Sequence, residues 1–165
     1  MGDFTATVKD TTSADEAYID MPYGIFSFLN YDAPNLVFIA GGIGITPFIS
    51  MLRYMVDKKL ERNVILIWGN KTEKDIAFKS ELEQMVVAMP SLRIIHVLSN
   101  QPPWPGEKGY VDTRLLHTHL DGFENPQVYR LRAACDNDQG GAVPAAGGRA
   151  EGTHSLRAIC IALNR

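Results

Sequence analysis

Cysteine is scarce in this 165-residue chain. Cys135 and Cys160 are the only two, too few for a disulfide framework and without histidines at zinc-ligand spacing. His117 and His119 stand two apart, a separation that turns them to different faces of a helix, so no metal site is expected. Long apolar runs are missing too: none reaches the roughly 18 residues that a membrane-crossing helix needs. Met1-Gly2-Asp3-Phe4 opens with neither a basic segment nor an apolar stretch, so no secretory signal is expected, and the chain reads as cytoplasmic or as the cytoplasmic part of something larger. Excess charge is also lacking. A formal net charge of −3 gives no reason to expect a nucleic-acid partner. Aromatic residues are absent from the last stretch, every Trp, Tyr and Phe lying at or before Tyr129.

What remains is the composition of an ordinary globular protein, 45% hydrophobic and 21% charged. The length suits one domain, or one domain and a fragment of another, with a core that needs no staples. Three parts can be distinguished. Residues 1–30 read as short β-prone runs, at Thr5–Val8, Ala17–Ile19 and Ile25–Phe28, with Pro22 and Gly24 marking the turn between the last two. Three such strands cannot bury a face alone, so this part is expected to be the end of something.

Residues 35–129 alternate strand and helix. Leu36–Ala40 is a continuous apolar run, as in a strand covered on both faces. A helix is expected from Pro47 to about Lys58, with Phe48, Met51, Leu52, Met55 and Val56 on one stripe. A second buried strand covers Asn63–Trp68, a helix Asp75–Ala88, a third strand Leu92–Leu98 and a third helix Val111–Leu120. Gln127-Val128-Tyr129 opens a fourth strand. This alternation predicts an α/β, doubly wound parallel sheet with helices on both faces. Residues 130–165, rich in Ala, Gly and Arg, break the pattern and read as a chain that cannot bury enough apolar surface to fold.

The chemistry lies in Gly41-Gly42-Ile43-Gly44-Ile45-Thr46-Pro47, directly after the first buried strand and opening a helix. Strand before and helix behind are the context a dinucleotide-binding glycine loop requires. Glycines permit a tight turn and let backbone N–H groups approach a diphosphate. The helix N-terminus adds free N–H groups and positive dipole. Thr46 suits the N-cap and Pro47 the first helical position. An ATP or GTP loop would need a lysine before its Ser or Thr, which is missing here. An ordinary dehydrogenase or methyl-donor-binding domain places an acid at the end of its second strand, whereas this one ends Trp68-Gly69-Asn70. A glycine turn used only for close packing is the remaining alternative.

The stretch Ile39–Pro47 resembles the nicotinamide-domain signature of the ferredoxin–NADP reductase superfamily. Trp68–Ile76 is similar to the family's ribose-meeting stretch, Gly109-Tyr110-Val111 to a further landmark, and Pro22-Tyr23-Gly24-Ile25-Phe26 to the segment closing its flavin barrel, with Met21 where glycine is usual. The likeness covers roughly residues 2–129. It implies that Gly41, Gly42, Ile43, Gly44, Thr46 and Pro47 hold the pyrophosphate and nicotinamide. Asn70, Thr72 and Asp75 are implied for the ribose, although a capped turn opening the next helix reads equally well from the residues. Ser99 stands where NADPH users of the family show Ser-Arg, the arginine suiting a 2′-phosphate; here Ser99-Asn100 favours NADH, with Lys71 left as a phosphate partner.

By the same resemblance the function is that of an oxidoreductase domain passing hydride from NADH (or NADPH) to FAD, for transfer onward to a haem, iron–sulfur or metal acceptor. Two departures qualify it. The family's flavin-holding Arg-x-Tyr-Ser-type segment is missing from the chain, so FAD should not be held well without a flavin-bearing chain or domain. The alternative is therefore a nucleotide-binding fragment or subunit without turnover. After Tyr129 the family's Cys-Gly-Pro-Pro is missing as well. Leu131-Arg132-Ala133-Ala134, written CTG-CGG-GCC-GCC-T, regroups one nucleotide on to Cys-Gly-Pro-Pro, and His154–Ile161 can regroup to Ile-His-Tyr-Glu-Arg-Phe-Ala-Leu. Residues 1–30 are thus expected to be a flavin-barrel remnant, 31–129 the NAD(P)-binding domain, and 130–165 a frame-shifted tail in place of the last strand and helix. Apolar surface uncovered by that loss would favour a homodimer.

Overall fold

A computed structural model describes residues 7, 10–16, 18, 20, 26–100 and 103–131, and the backbone of 157–161. Strands and helices alternate as β1 (Asn35–Gly41), α1 (Thr46–Asp57), β2 (Asn63–Asn70), α2 (Lys79–Ala88), β3 (Leu92–Leu98), β4 (Glu107–Lys108), α3 (Thr113–Leu120), β5 (Gln127–Leu131) and β6 (Arg157–Ile161). They build one six-stranded sheet in the order β4-β3-β2-β1-β5-β6, with every neighbouring pair parallel.

The apolar runs are continuous because both faces are covered. Along β1 and β2 the side chains of Leu36, Phe38, Ala40, Val64, Leu66 and Trp68 pack with α1 and α2. Their sequence neighbours Val37, Ile39, Ile65 and Ile67 pack with Leu115 and Leu116 of α3. Period-two alternation thus sorts one run into two cores. The first core is aromatic at its centre, with Phe38 stacked on Phe48 at 4.8 Å and Tyr129 edge-on to Phe38 at 5.6 Å. The expected doubly wound fold is the observed one.

The path positions the site. From β1 the chain steps outward through β2, β3 and β4, then returns through α3 to lay β5 on the other side of β1. Strand order therefore reverses between β1 and β5, and at such a switch point a crevice opens beyond the carboxyl ends of the strands.

Several expectations are corrected. Of the predicted Ile25–Phe28 strand, Phe26 and Ser27 are irregular and Phe28 opens a 3₁₀ turn, Phe28–Asn30, capped by the Ser27 hydroxyl. Phe26 packs edge-on to Phe48 and Tyr129 at 5.7 and 5.5 Å. The other predicted strands of 1–30 and the Pro22–Ile25 stretch lie outside the described residues but for Thr7 and Tyr18. The helix expected from Asp75 begins only at Lys79, because Phe78 adopts a left-handed backbone, φ 57°. The fourth strand runs on to Leu131, and Arg157–Ile161 pairs parallel with it as β6. A last strand is thus present in the tail, and the β5 edge is covered, which removes the reason given for a homodimer. Among the described residues no helix is long and apolar enough to cross a membrane.

Candidate functional site

A crevice of about 540 Å³ lies at this switch point. Gly41, Gly42 and Ile43 line it from the end of β1 and the loop after it, Asn70, Lys71 and Ser99 from the ends of β2 and β3, and Arg130 and Leu131 from β5. Asp75, Phe78, Gly109, Tyr110 and Val111 also line it.

The loop is a 3₁₀ turn, Gly42–Ile45, running straight into α1. Gly42 has φ 48°, a conformation glycine enters without Cβ strain. The amides that open such a turn have no partner within it and are free for an anion. Gly44 serves differently. A Cβ there would meet the Leu131 carbonyl oxygen at 3.0 Å, so this glycine lets β5 close against the loop and does not itself line the crevice. Thr46 is not the N-cap expected of it. It is already helical and its hydroxyl donates to the Ile43 carbonyl at 3.3 Å, since the turn supplies a continuous lead into α1. Pro47 sits in the first helical turn, as its missing N–H allows. Neither Thr46 nor Pro47 lines the crevice.

At the end of β2, Asn70 is 8% exposed and its Nδ2 has no hydrogen-bond partner among the described residues. A buried amide donor without a partner is costly and rare. The Asn70 carbonyl accepts from the Ser99 amide at 3.0 Å, which ties the ends of β2 and β3 together beside the crevice. Thr72 and Asp75 form a capping box. The Asp75 carboxylate accepts from the Thr72 hydroxyl at 2.7 Å and amide at 2.8 Å, and those bonds hold its carboxyl below the usual range. The capped turn is therefore the geometry observed, with Thr72 set back from the crevice and Asp75 on its wall. It opens the 3₁₀ turn Glu73–Asp75, not the following helix.

Four residues to which the sequence assigned no site role also contribute: Arg130, Phe78, Tyr110 and Trp68. Arg130 lines the crevice from β5 and makes no ion pair with the described carboxylates; an isolated arginine in an unpatterned stretch carried no signal. Phe78 and Tyr110, with Ile43, which is 74% exposed, form an apolar rim around the opening. Trp68, buried beneath the loop, donates its indole N–H to the Gly42 carbonyl at 2.9 Å. Away from the crevice, His119 pairs with Glu107 at 2.8 Å.

A model of the family described as "Oxidoreductase NAD-binding domain" matches residues 38–138. The glycine betaine monooxygenase reductase subunit of Pseudomonas aeruginosa is 27% identical over 112 residues, which are 66% of this chain and 30% of that protein. Nitrate reductase [NADPH] of Fusarium oxysporum is 38% identical over 90 residues, 53% of this chain and 10% of that protein. The solved structure of the CS-b5R domains of human Ncb5or in its NAD+ form is similar with a TM-score of 0.63 and 26% identity, across 78% of this chain and 38% of that one. The chain thus spans less than half the length of each of these relatives. The family match covers the glycine loop, the buried Asn70 and both sides of the switch point, and by it this chain belongs to the oxidoreductase NAD-binding domain family.

Proposed function

We propose that residues 31–131, with β6, are the nicotinamide-dinucleotide-binding unit of a flavin-dependent reductase, residues 1–30 being the end of its flavin barrel. The observation that carries this reading is the unpartnered buried amide of Asn70 beside a glycine turn of free N–H groups, together at a strand-order reversal. When bound, the dinucleotide supplies a hydride, and a flavin on a partner chain or domain takes it for single-electron delivery to a haem, iron–sulfur or metal acceptor. The chain's own residues bind and orient. The amides that open the Gly42–Ile45 turn face the diphosphate, Arg130 adds positive charge, and Asn70 donates to a ribose hydroxyl. Ile43, Phe78 and Tyr110 exclude water from the flat rings.

The crevice favours NADH over NADPH. Asp75 would repel a second phosphate on the adenine ribose, and Ser99-Asn100 offers no arginine; Lys71 is the one described lysine on the wall. Leu131, an apolar side chain where the family carries its cysteine, favours binding without turnover as the second reading. Titration calorimetry of the full chain with NADH, NADPH and ADP-ribose tests the proposal. Heat from NADH and ADP-ribose, weaker with NADPH, is expected; no heat from any of the three overturns it. A yellow, flavin-bearing purified protein would exclude the second reading. For the tail beyond Tyr129 we keep the shifted reading frame as the proposal, which the nucleotides around codon 129 decide.

A further inference from the structure

The hydrogen bond from Trp68 to Gly42 joins the sheet to the loop at the point where the chain leaves β1. Gly42 is the left-handed residue, and in a 3₁₀ turn over Gly42–Ile45 its carbonyl comes next after that of the N-cap Gly41 as acceptor of an i→i+3 bond. A carbonyl oxygen has two lone pairs and can accept both bonds. Turning the Gly42–Ile43 peptide over would withdraw that oxygen from the indole and reverse the N–H of Ile43. The orientation of the loop amides is thereby coupled to a single donor from the next strand.

The indole is well placed to hold its position. Trp68 is 1% exposed, sits opposite Ala40 in the β1–β2 register, and is backed by the His96 imidazole at 5.8 Å between ring centroids. Trp104, the other tryptophan, differs, for its buried Nε1 has no partner. We propose that Trp68 is the positioning residue of the diphosphate loop, its indole N–H fixing the Gly42 peptide so that the loop amides point outward to the ligand. The inference rests on the dinucleotide reading and deepens it.

The test measures ADP-ribose affinity of the full chain as wild type, Trp68→Phe and Trp104→Phe, at a temperature where all three are folded. Trp68→Phe keeps an aromatic ring and removes the N–H. About tenfold weaker binding is expected from losing one hydrogen bond to a part-buried carbonyl, with Trp104→Phe unchanged. A merely structural role would lower the melting temperature of Trp68→Phe and leave its affinity alone, which overturns the proposal. Failure of the wild type to bind ADP-ribose overturns the dinucleotide reading and this inference together; wild-type binding with an unaltered Trp68→Phe overturns only the inference. Should Trp68→Phe not fold, the indole N–H resonance of the wild type decides. Slow solvent exchange and a shift on adding ADP-ribose are expected, and a fast-exchanging or unshifted resonance refutes the role.

Discussion

Gly44 shows how little a motif letter says about its reason. Its backbone needs no glycine, but a Cβ would press on the Leu131 carbonyl oxygen at 3.0 Å and its carbon at 3.3 Å. Both atoms belong to a strand and cannot swing away. Gly44→Ala is expected to cost about 1–3 kcal/mol as an overpacking change, read as a lower urea midpoint, and to part the loop from β5. Two titrating groups are shifted by their surroundings, the half-buried His96 and the buried Tyr129. Burial, then Lys79, lowers the His96 pKa below 6.5, so the folded state prefers neutral imidazole. The stability this contributes is complete above 6.5 and lost as pH falls through the folded value. His96→Gln should flatten the melting-temperature profile in that acidic window, and an unaltered profile would refute the assignment. Burial pushes the Tyr129 phenol up to about 12 from 10.0. Its contribution is complete below 10.0 and lost as pH rises towards 12, so alkaline unfolding should coincide with ionisation of a late tyrosine in absorbance titration.

β1 and β2 were legible because Leu36–Ala40 and Val64–Trp68 are apolar throughout, and the sheet could only bury them on both faces. Helix starts were less legible. Asp75 opens a convincing acidic first turn, yet it caps a 3₁₀ turn and the chain then passes through Phe78 in a left-handed conformation before α2 begins. The Phe78 ring lies 5.9 Å from the Arg53 guanidinium, which itself forks onto Glu81 at 2.6 and 2.9 Å. Those contacts come from α1 and α2 together, and no window of sequence contains both. Asp75→Ala should lower the melting temperature at neutral pH. Because the carboxyl is held below 3.8, its contribution is present above 3.8 and lost as pH falls, so the difference from wild type should vanish in strong acid.

For the molecule as a unit, ligand linkage offers the broadest check. A dinucleotide that binds only the folded chain stabilises it by about 2.7 kcal/mol at a hundredfold excess over Kd. NADH should therefore raise the melting temperature in a concentration-dependent way, and a melting curve indifferent to NADH would count against the crevice as its site. From residue order alone came the strand–helix alternation, the glycine turn and Asn70 at the end of β2, since each is a local pattern with a period or a φ requirement. Folding decided the rest. That Arg130 and Leu131 face Gly41–Ile43, that Trp68 holds Gly42, that Thr46 and Pro47 recede, and that β6 closes the sheet beside β5 all depend on the reversal between β1 and β5. It brings together residues some ninety positions apart, a distance over which local propensity carries no information.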